Sequence, residues 1–251
     1  MKTFLLIIKK QLIFGFSRRS GRNFFGRKTV FTQSGGLKYK KRLIDYKRHI
    51  PFKFVLLSVE KQLRNTAYIG FICYENGLFS YIILADSHKI GNLMPGFLNI
   101  SKLGASTFLM NIPTGIFVHH VEQNPGCGAK LVRSAGSSSF VISKSLNNVL
   151  LKMNSGWLLK FSPLSMAVVG VVSNSDHFVK RIKNAGFARK LGFRPVVRGV
   201  AMNPRDHAHG GGEGRSSPPV AHKTPYGKLT KVPTNRSKLY RKKKRLFKIF
   251  V

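Results

Sequence analysis

AYIGFICYENGLFSYIIL, residues 67–84, decides the architecture. Two β-rich runs, 67–74 and 78–84, flank Glu75-Asn76-Gly77. Asn-Gly between such runs is the strongest short-range hairpin signal, because both residues tolerate positive φ. Outward from it the pattern repeats: PFKFVLLSV (51–59) upstream, then TGIFVHHVE (114–122), AKLVRSAG (129–136), SFVIS (139–143), NVLLKM (148–153), WLLKF (157–161) and MAVVGVVS (166–173) downstream. Ser155-Gly156 reads as a second tight turn. Runs this short, punctuated by Gly, Pro and Asn, argue for small β-barrels and against βαβ units. The Gly-, Pro- and Ser-rich stretch 91–113 is a junction, so two barrels fit better than one, over 50–112 and 113–187. Convincing helical periodicity is absent, although a short helix fits near Asp176 to Ala185 with Ser175 as N-cap. In the strand containing His119-His120, alternation lets at most one of the pair face the core.

The flanks differ. Residues 1–49 are basic and interrupted by Gly21, Gly26, Gly35 and Gly36, and read as an extended arm. Its aromatics, Phe24, Phe25, Phe31, Tyr39 and Tyr46, separate it from a plain linker. The start, MKTFLLIIKKQLIFGF, is poor in acids and can be an organelle presequence or mature sequence. Lys9 and Lys10 interrupt it too early for a secretory signal. Residues 188–251 form a second basic arm that closes in RSKLYRKKKRLFKIF.

The chain carries 44 Lys and Arg against 8 Asp and Glu, a formal net charge of +36. Self-repulsion of that size is relieved by a polyanion, and nucleic acid is the densest common one. An anionic membrane surface comes second and acidic proteins third. No apolar run reaches bilayer-spanning length. Cys73 and Cys127 lie far apart and outside any metal-ligand spacing, which fits two reduced thiols.

Enzyme chemistry finds little support. RSAGSSSF (133–140) lacks a GxSxG elbow, so its serines read as turn formers or phosphate donors. GGGEGR (210–215) lacks the GK[ST] ending of a nucleotide-binding loop. Asp206, His207, His209 and His222 make a loose metal-like cluster without a fourth ligand at a telling spacing. The preferred reading is contact with RNA phosphate, sugar or base. RPVVRGVAMNPRDHAHGGGEGR (194–215) has no apolar periodicity and cannot build a core, so an outside polyanion must order it. Arg205 and Arg215 suit bidentate phosphate contacts, and glycine backbone can lie close to a strand of RNA.

These stretches resemble the L-two family of universal large-subunit ribosomal proteins. The likeness runs through GRNFFGR (21–27), GGLKYKKRLIDYKR (35–48), NIPTGIFVHHVEQNPGCGAKLVRSAG (111–136), NAGFARKLGFRPVVRGVAMNPRDHAHGGGEGR (184–215) and HKTPYGK (222–228). The resemblance implies a mostly β fold: an OB-like barrel, then an SH3-like barrel, between long basic extended arms. It implies a non-enzymatic ribosomal protein that binds large-subunit rRNA, touches other ribosomal proteins and small-subunit partners, and needs neither membrane nor resident cofactor or metal. Magnesium nearby would belong to the RNA. RNA contact is expected at Arg22, Asn23, Arg27, Lys38, Lys47, Arg48, Lys130, Arg133, Ser134, Arg189, Lys190, Arg194, Arg198, Asn203, Arg205, His207, His209, Gly210, Gly211, Gly212, Arg215, Lys223, Lys228 and Arg236. Asp206, His207, His209 and Glu213 are expected near the peptidyl-transferase centre, where His207 takes a packing role in preference to a chemical one. Departures from the family pattern, Phe24 for an asparagine and Ala208 for a proline among them, suit an organelle ribosome. The mitochondrial matrix is favoured, with a plastid or bacterial ribosome as alternatives.

Overall fold

In a computed structural model, residues 2–63, 65–86, 88–97, 103–213 and 221–230 are described. They fall into two units. One comprises residues 1–20 with 34–193, and the other residues 21–33 with 194–251.

The first unit begins with α1 (Lys2–Gln11), β1 (Ile13–Phe16) and β2 (Tyr39–Arg42), the two strands pairing antiparallel from Ile13↔Arg42 to Phe16↔Tyr39. β3 (Phe54–Glu60), β4 (Ile69–Tyr74), β5 (Phe79–Ile83) and β6 (Leu93–Met94) form a sheet in the order β5-β4-β3-β6. This is the OB-like barrel. β4 shows why its sequence is apolar without alternation. Ile72 and Tyr74 face a core of Phe54, Leu56, Ile82, Leu84 and Met94. Ile69 and Phe71 face the other way, with Tyr81, where Leu5, Ile8 and Leu12 pack on them. A strand buried on both faces reads as one continuous hydrophobic run. The N-terminal segment is therefore not wholly an extended arm: its apolar residues form a helix whose buried side covers a sheet.

The 67–84 hairpin forms, with a difference in its turn. The Gly77 N–H donates to Tyr74 O at 2.9 Å and the Tyr74 N–H to Leu78 O at 2.9 Å. Only Gly77, at φ +80°, occupies the left-handed region. The loop is thus three residues, a turn at Glu75-Asn76 closed by a glycine bulge, and the Asn76 side chain caps it by accepting the Leu78 N–H. Asn154-Ser155-Gly156 repeats the same form, with Gly156 at φ +79°.

The SH3-like barrel contains β7 (Ser106–Phe108), β8 (Phe117–His119), β9 (Val121–Glu122), β10 (Ala129–Leu131), β11 (Ser139–Lys144), β12 (Val149–Lys152), β13 (Leu158–Phe161) and β14 (Met166–Val169). Its main sheet runs β13-β12-β11-β8-β14-β7, and β9 pairs with β10. Because β7 belongs to this sheet, the change of barrel falls between Met94 and Ser106 and not at residue 112. Leu109, Ile112, Val118, Val121, Val141, Val149, Leu151 and Phe161 fill the core. The barrels are joined by an Ala85↔Val172 bridge, by Tyr68 N–H to Ser173 Oγ, and by Asn174 Nδ2 to Thr66 O at 2.6 Å.

The expected helix at 176–185 is displaced. Ser175–Phe178 is one 3-10 turn in which Ser175 is the first residue, and the N-cap position falls on Asn174 in the left-handed region, without a side-chain cap. The α-helix α2 is Ala185–Leu191. Lys180 and Lys183, three apart, would sit as like charges on one face of a helix begun earlier. Gly192, at φ +98°, stops α2 and donates its N–H to Ala188 O and Arg189 O. α2 thus straddles the expected boundary at 187/188.

Candidate nucleic-acid interface

Among the described residues, the ion pairs are those of Glu60 with Lys9 (2.7 Å) and Arg42. Pairing with Lys9 and Arg42 outweighs burial and holds the Glu60 carboxyl below its ordinary value. Asp45 caps a turn, accepting the Lys47 and Arg48 N–H groups. Glu122 is buried and accepts the Gly126, Gly128 and Met166 N–H groups at 3.2, 2.8 and 3.1 Å. Carboxylates so occupied leave most of the bases free to neutralise an external polyanion.

In the first unit, Lys38, Lys47, Lys130, Arg133, Ser134, Arg189 and Lys190 are exposed. Arg133 lies over the Tyr46 ring at 5.0 Å, and Arg189 Nη1 donates to Phe193 O. Arg48 corrects the expectation for it. Its side chain is buried, with 5% of the residue exposed, and its Nη2 donates to Gly104 O at 3.0 Å. A guanidinium closed off between the two barrels cannot reach phosphate. It packs over Phe54 and near His88, His119 and His120, whose imidazoles it helps to hold neutral. Burial first, and then Arg48, pushes His88 down to about 4; burial, Arg48 and Arg133 push His120 down to about 3. Both His119 and His120 are buried, against the alternation rule, because His120 takes φ +53° and turns its side chain back inward. Their Nδ1 atoms lie 2.6 Å apart and share one hydrogen bond.

The second unit presents Arg22 and Arg27 on a tight loop. Asn23 Oδ1 accepts the Arg27 N–H at 2.9 Å, and Arg22 bridges Lys28. Asn23 thus spends one acceptor on the turn itself. The Arg194 N–H donates to Thr32 O at 2.8 Å, tying this loop to the glycine-rich segment. There Arg194, Arg198, Asn203, Arg205, Asp206 and Glu213 are exposed. The segment has more intrinsic shape than its sequence suggests. Asn203 O accepts the Asp206 and His207 N–H groups, and the Gly211 N–H donates to Met202 O. Glycine is required at two of these positions. A Cβ on Gly199 would strike the His207 ring, and one on Gly210 would strike the Asn203 carbonyl. Gly211 (φ +84°) and Gly212 (φ +91°) carry the chain through the left-handed region.

The histidines serve this turn. His207 and His209 stack with centroids 5.3 Å apart. His207 Nδ1 accepts the His209 N–H at 3.0 Å, and His209 Nε2 accepts the Lys223 N–H at 2.8 Å. Packing, then the adjoining His207, His222 and Lys223, keep the His209 imidazole below its ordinary value. Among the described residues no three His, Cys, Asp or Glu side chains are arranged to hold a metal ion. Lys223 is half-buried and Lys228 exposed on a small turn, where the Thr224 N–H donates to Lys228 O at 2.7 Å. Arg215 and Arg236 lie outside the described residues.

Sequence reasoning missed Arg18 and Glu122. Arg18 Nη1 donates to Leu191 O at the end of α2, 173 residues away, and the guanidinium lies over Tyr39 at 4.7 Å. Arg18 carries no local signal because Leu191 lies far along the chain, and Glu122 accepts two N–H groups within its own loop but also that of Met166, 44 residues on, which nothing local announces.

Two barrels with many exposed bases, and with Asp45, Glu60 and Glu122 occupied by internal partners, form the scaffold of an RNA-binding protein. The family model for Ribosomal Proteins L2, RNA binding N-terminal domain, matches residues 9–95. The model for the L2 C-terminal domain matches residues 102–227. The chain is 42% identical over 234 residues to large ribosomal subunit protein uL2m of Reclinomonas americana, covering 91% of this chain and 84% of the relative. It is 39% identical to uL2 of a Wolbachia pipientis strain, covering 92% and 85%. Against uL2 of Bartonella quintana the identity is 40%, covering 91% and 83%. Fold, surface and these matches together define an rRNA-binding structural protein of the large ribosomal subunit, not an enzyme. The chain belongs to the ribosomal protein L2 family.

Proposed function

We propose that this protein serves a mitochondrial ribosome, where it clamps large-subunit rRNA, supports particle assembly and subunit association, and shapes the surroundings of the peptidyl-transferase centre. The observation that carries the reading is the 194–213 segment. Exposed Arg194, Arg198 and Arg205 surround a backbone fixed by Gly199, Gly210, Gly211 and the His207–His209 pair. A pre-shaped glycine turn bearing cations can approach phosphates closely at little ordering cost. The 42% identity to uL2m supports the mitochondrial assignment beside bacterial relatives of similar identity.

Asp206, His207, His209 and Glu213 then contribute shape and not chemistry. His207 Nδ1 already accepts a backbone N–H, so that nitrogen is not poised to take a proton from a substrate. Magnesium in this region would be held by RNA phosphates. The test is sedimentation of mitochondrial ribosomes in sucrose gradients. The chain should travel with the large subunit and stay there at moderate salt. Arg198→Ala should reduce incorporation without lowering the melting temperature of the free protein. Recovery in a free pool, or normal incorporation of a less stable variant, would refute the reading. His207→Ala should leave assembly intact with at most reduced activity. Complete loss of peptide-bond formation in fully assembled particles would give His207 a chemical role.

A further inference from the structure

Two adjacent phenylalanines stand at the tip of the 21–30 loop with almost nothing covering them. Phe24 is 83% exposed and Phe25 82%. Large apolar side chains this bare have a free-energy reason to be buried by a partner. The loop holding them is well braced. The Asn23 N–H donates to Arg27 O at 2.8 Å and the Gly26 N–H to Asn23 O at 3.1 Å, while Asn23 Oδ1 accepts the Arg27 N–H. At the base, the Thr29 and Val30 N–H groups donate to Gly21 O. Gly21 sits at φ +79°, and a Cβ there would run into the Val30 carbonyl.

The two rings meet edge to face, 5.7 Å between centroids with planes at 83°. They therefore offer faces in two perpendicular directions. The loop around them carries Arg22, Arg27 and Lys28, and residues 21–33 contain no acid. Lys28 lies over the Phe31 ring at 5.4 Å. Bare aromatic faces within a purely cationic loop match an unpaired nucleotide: a π-surface to stack on, and phosphates on either side for the bases.

We propose that Phe24 and Phe25 form a stacking tip for unpaired rRNA bases, with Arg22, Arg27 and Lys28 holding the adjoining phosphates. The proposal rests on the rRNA-binding role of the chain and adds the kind of RNA this loop takes. Phosphate contact and stacking differ in salt dependence. Removing a base contact lowers affinity at every salt concentration, whereas removing a cation also flattens the salt slope.

Two experiments test it. In the first, the full chain is titrated onto a large-subunit rRNA transcript between roughly 50 and 200 mM salt. The Phe24→Ala/Phe25→Ala variant should bind at least about fivefold more weakly throughout, the low end for one stacked base. Its salt slope should parallel that of the parent, and its melting temperature should be unchanged because the rings touch little else. Arg27→Ala should instead reduce the slope. A double variant that matches the parent overturns the stacking tip while leaving the rRNA-binding role standing. A parent chain that fails to bind the transcript overturns both. In the second, p-benzoylphenylalanine replaces Phe25 in chains assembled into large subunits, followed by irradiation and mass spectrometry. Nucleotide adducts are expected. Adducts to a protein neighbour, or none to RNA, overturn the proposal.

Discussion

Glu122→Ala should be among the most damaging single changes in the SH3-like barrel. The carboxylate has 1% of its residue exposed and makes no ion pair among the described residues. Its Oε2 accepts the Gly126 and Met166 N–H groups and its Oε1 the Gly128 N–H. It thus ties the 122–128 loop to the start of β14. Each N–H left buried without an acceptor costs about 1–3 kcal/mol. The two glycine N–H groups belong to a short loop that can shift toward water, so about 1 kcal/mol each is reasonable for them. The Met166 N–H is in a buried strand and bears nearer the full cost. The sum is roughly 3–5 kcal/mol, or a fall in melting temperature of about 6–20 °C for a chain of this size. Glu122→Gln keeps one oxygen able to accept two of the three bonds, and should cost about 1–2 kcal/mol. Urea unfolding of the full chain, followed by Trp157 fluorescence, reads this barrel directly, since Trp157 is the only tryptophan and lies between β12 and β13. A loss below about 1 kcal/mol for Glu122→Ala would show that the loop and β14 hold together without the carboxylate, and would refute the argument.

The imidazoles between the barrels predict acid sensitivity. His88 and His120 stay neutral in the folded chain to about pH 4 and 3 but take up a proton near 6.5 when unfolded, so stability is complete above pH 6.5 and falls as pH drops toward 4. On the order of 1–2 kcal/mol per histidine should be lost between pH 7 and 5 in urea titrations, and His88→Asn should flatten the profile; a pH-independent midpoint would contradict it. Two glycines should separate steric from conformational cost. At Gly96 a Cβ would collide with the carbonyls of Pro51 and Phe52, and Gly96→Ala should lose about 1–3 kcal/mol or more. At Gly156 there is open space but φ +79°, and Gly156→Ala should lose only about 1–2 kcal/mol, as equilibrium unfolding of the pair will show. Arg18→Ala removes the donor to Leu191 O and should fray the end of α2, seen as faster amide exchange at residues 189–193, with no change in the OB-like core; unchanged exchange would deny Arg18 that capping role.

Local chemistry and long-range packing contributed differently to what could be read beforehand. The sequence determined the short strands, the glycine-closed turns at 75–77 and 154–156, the mostly β class and the demand for a polyanion. All of these depend on residue period, on φ preferences or on summed charge, each a property of neighbours along the chain. It also carried the 194–215 motif, in which Gly199, Gly210 and Gly211 each lie too close to a ring or backbone of the same segment for a Cβ. Tertiary structure decided the rest. The apolar stretch up to Phe16 reads as part of an extended arm over 1–49 because its partner, the outer face of β4 and β5, lies more than fifty residues on. Arg48 looked like a phosphate ligand because charge marks a residue as basic without saying which way it points; a backbone at φ +50° and the Gly104 carbonyl turn it inward. His120 escaped the alternation rule through one positive φ. Burial is set by what the fold brings to a residue from elsewhere, and no local pattern of side chains encodes it.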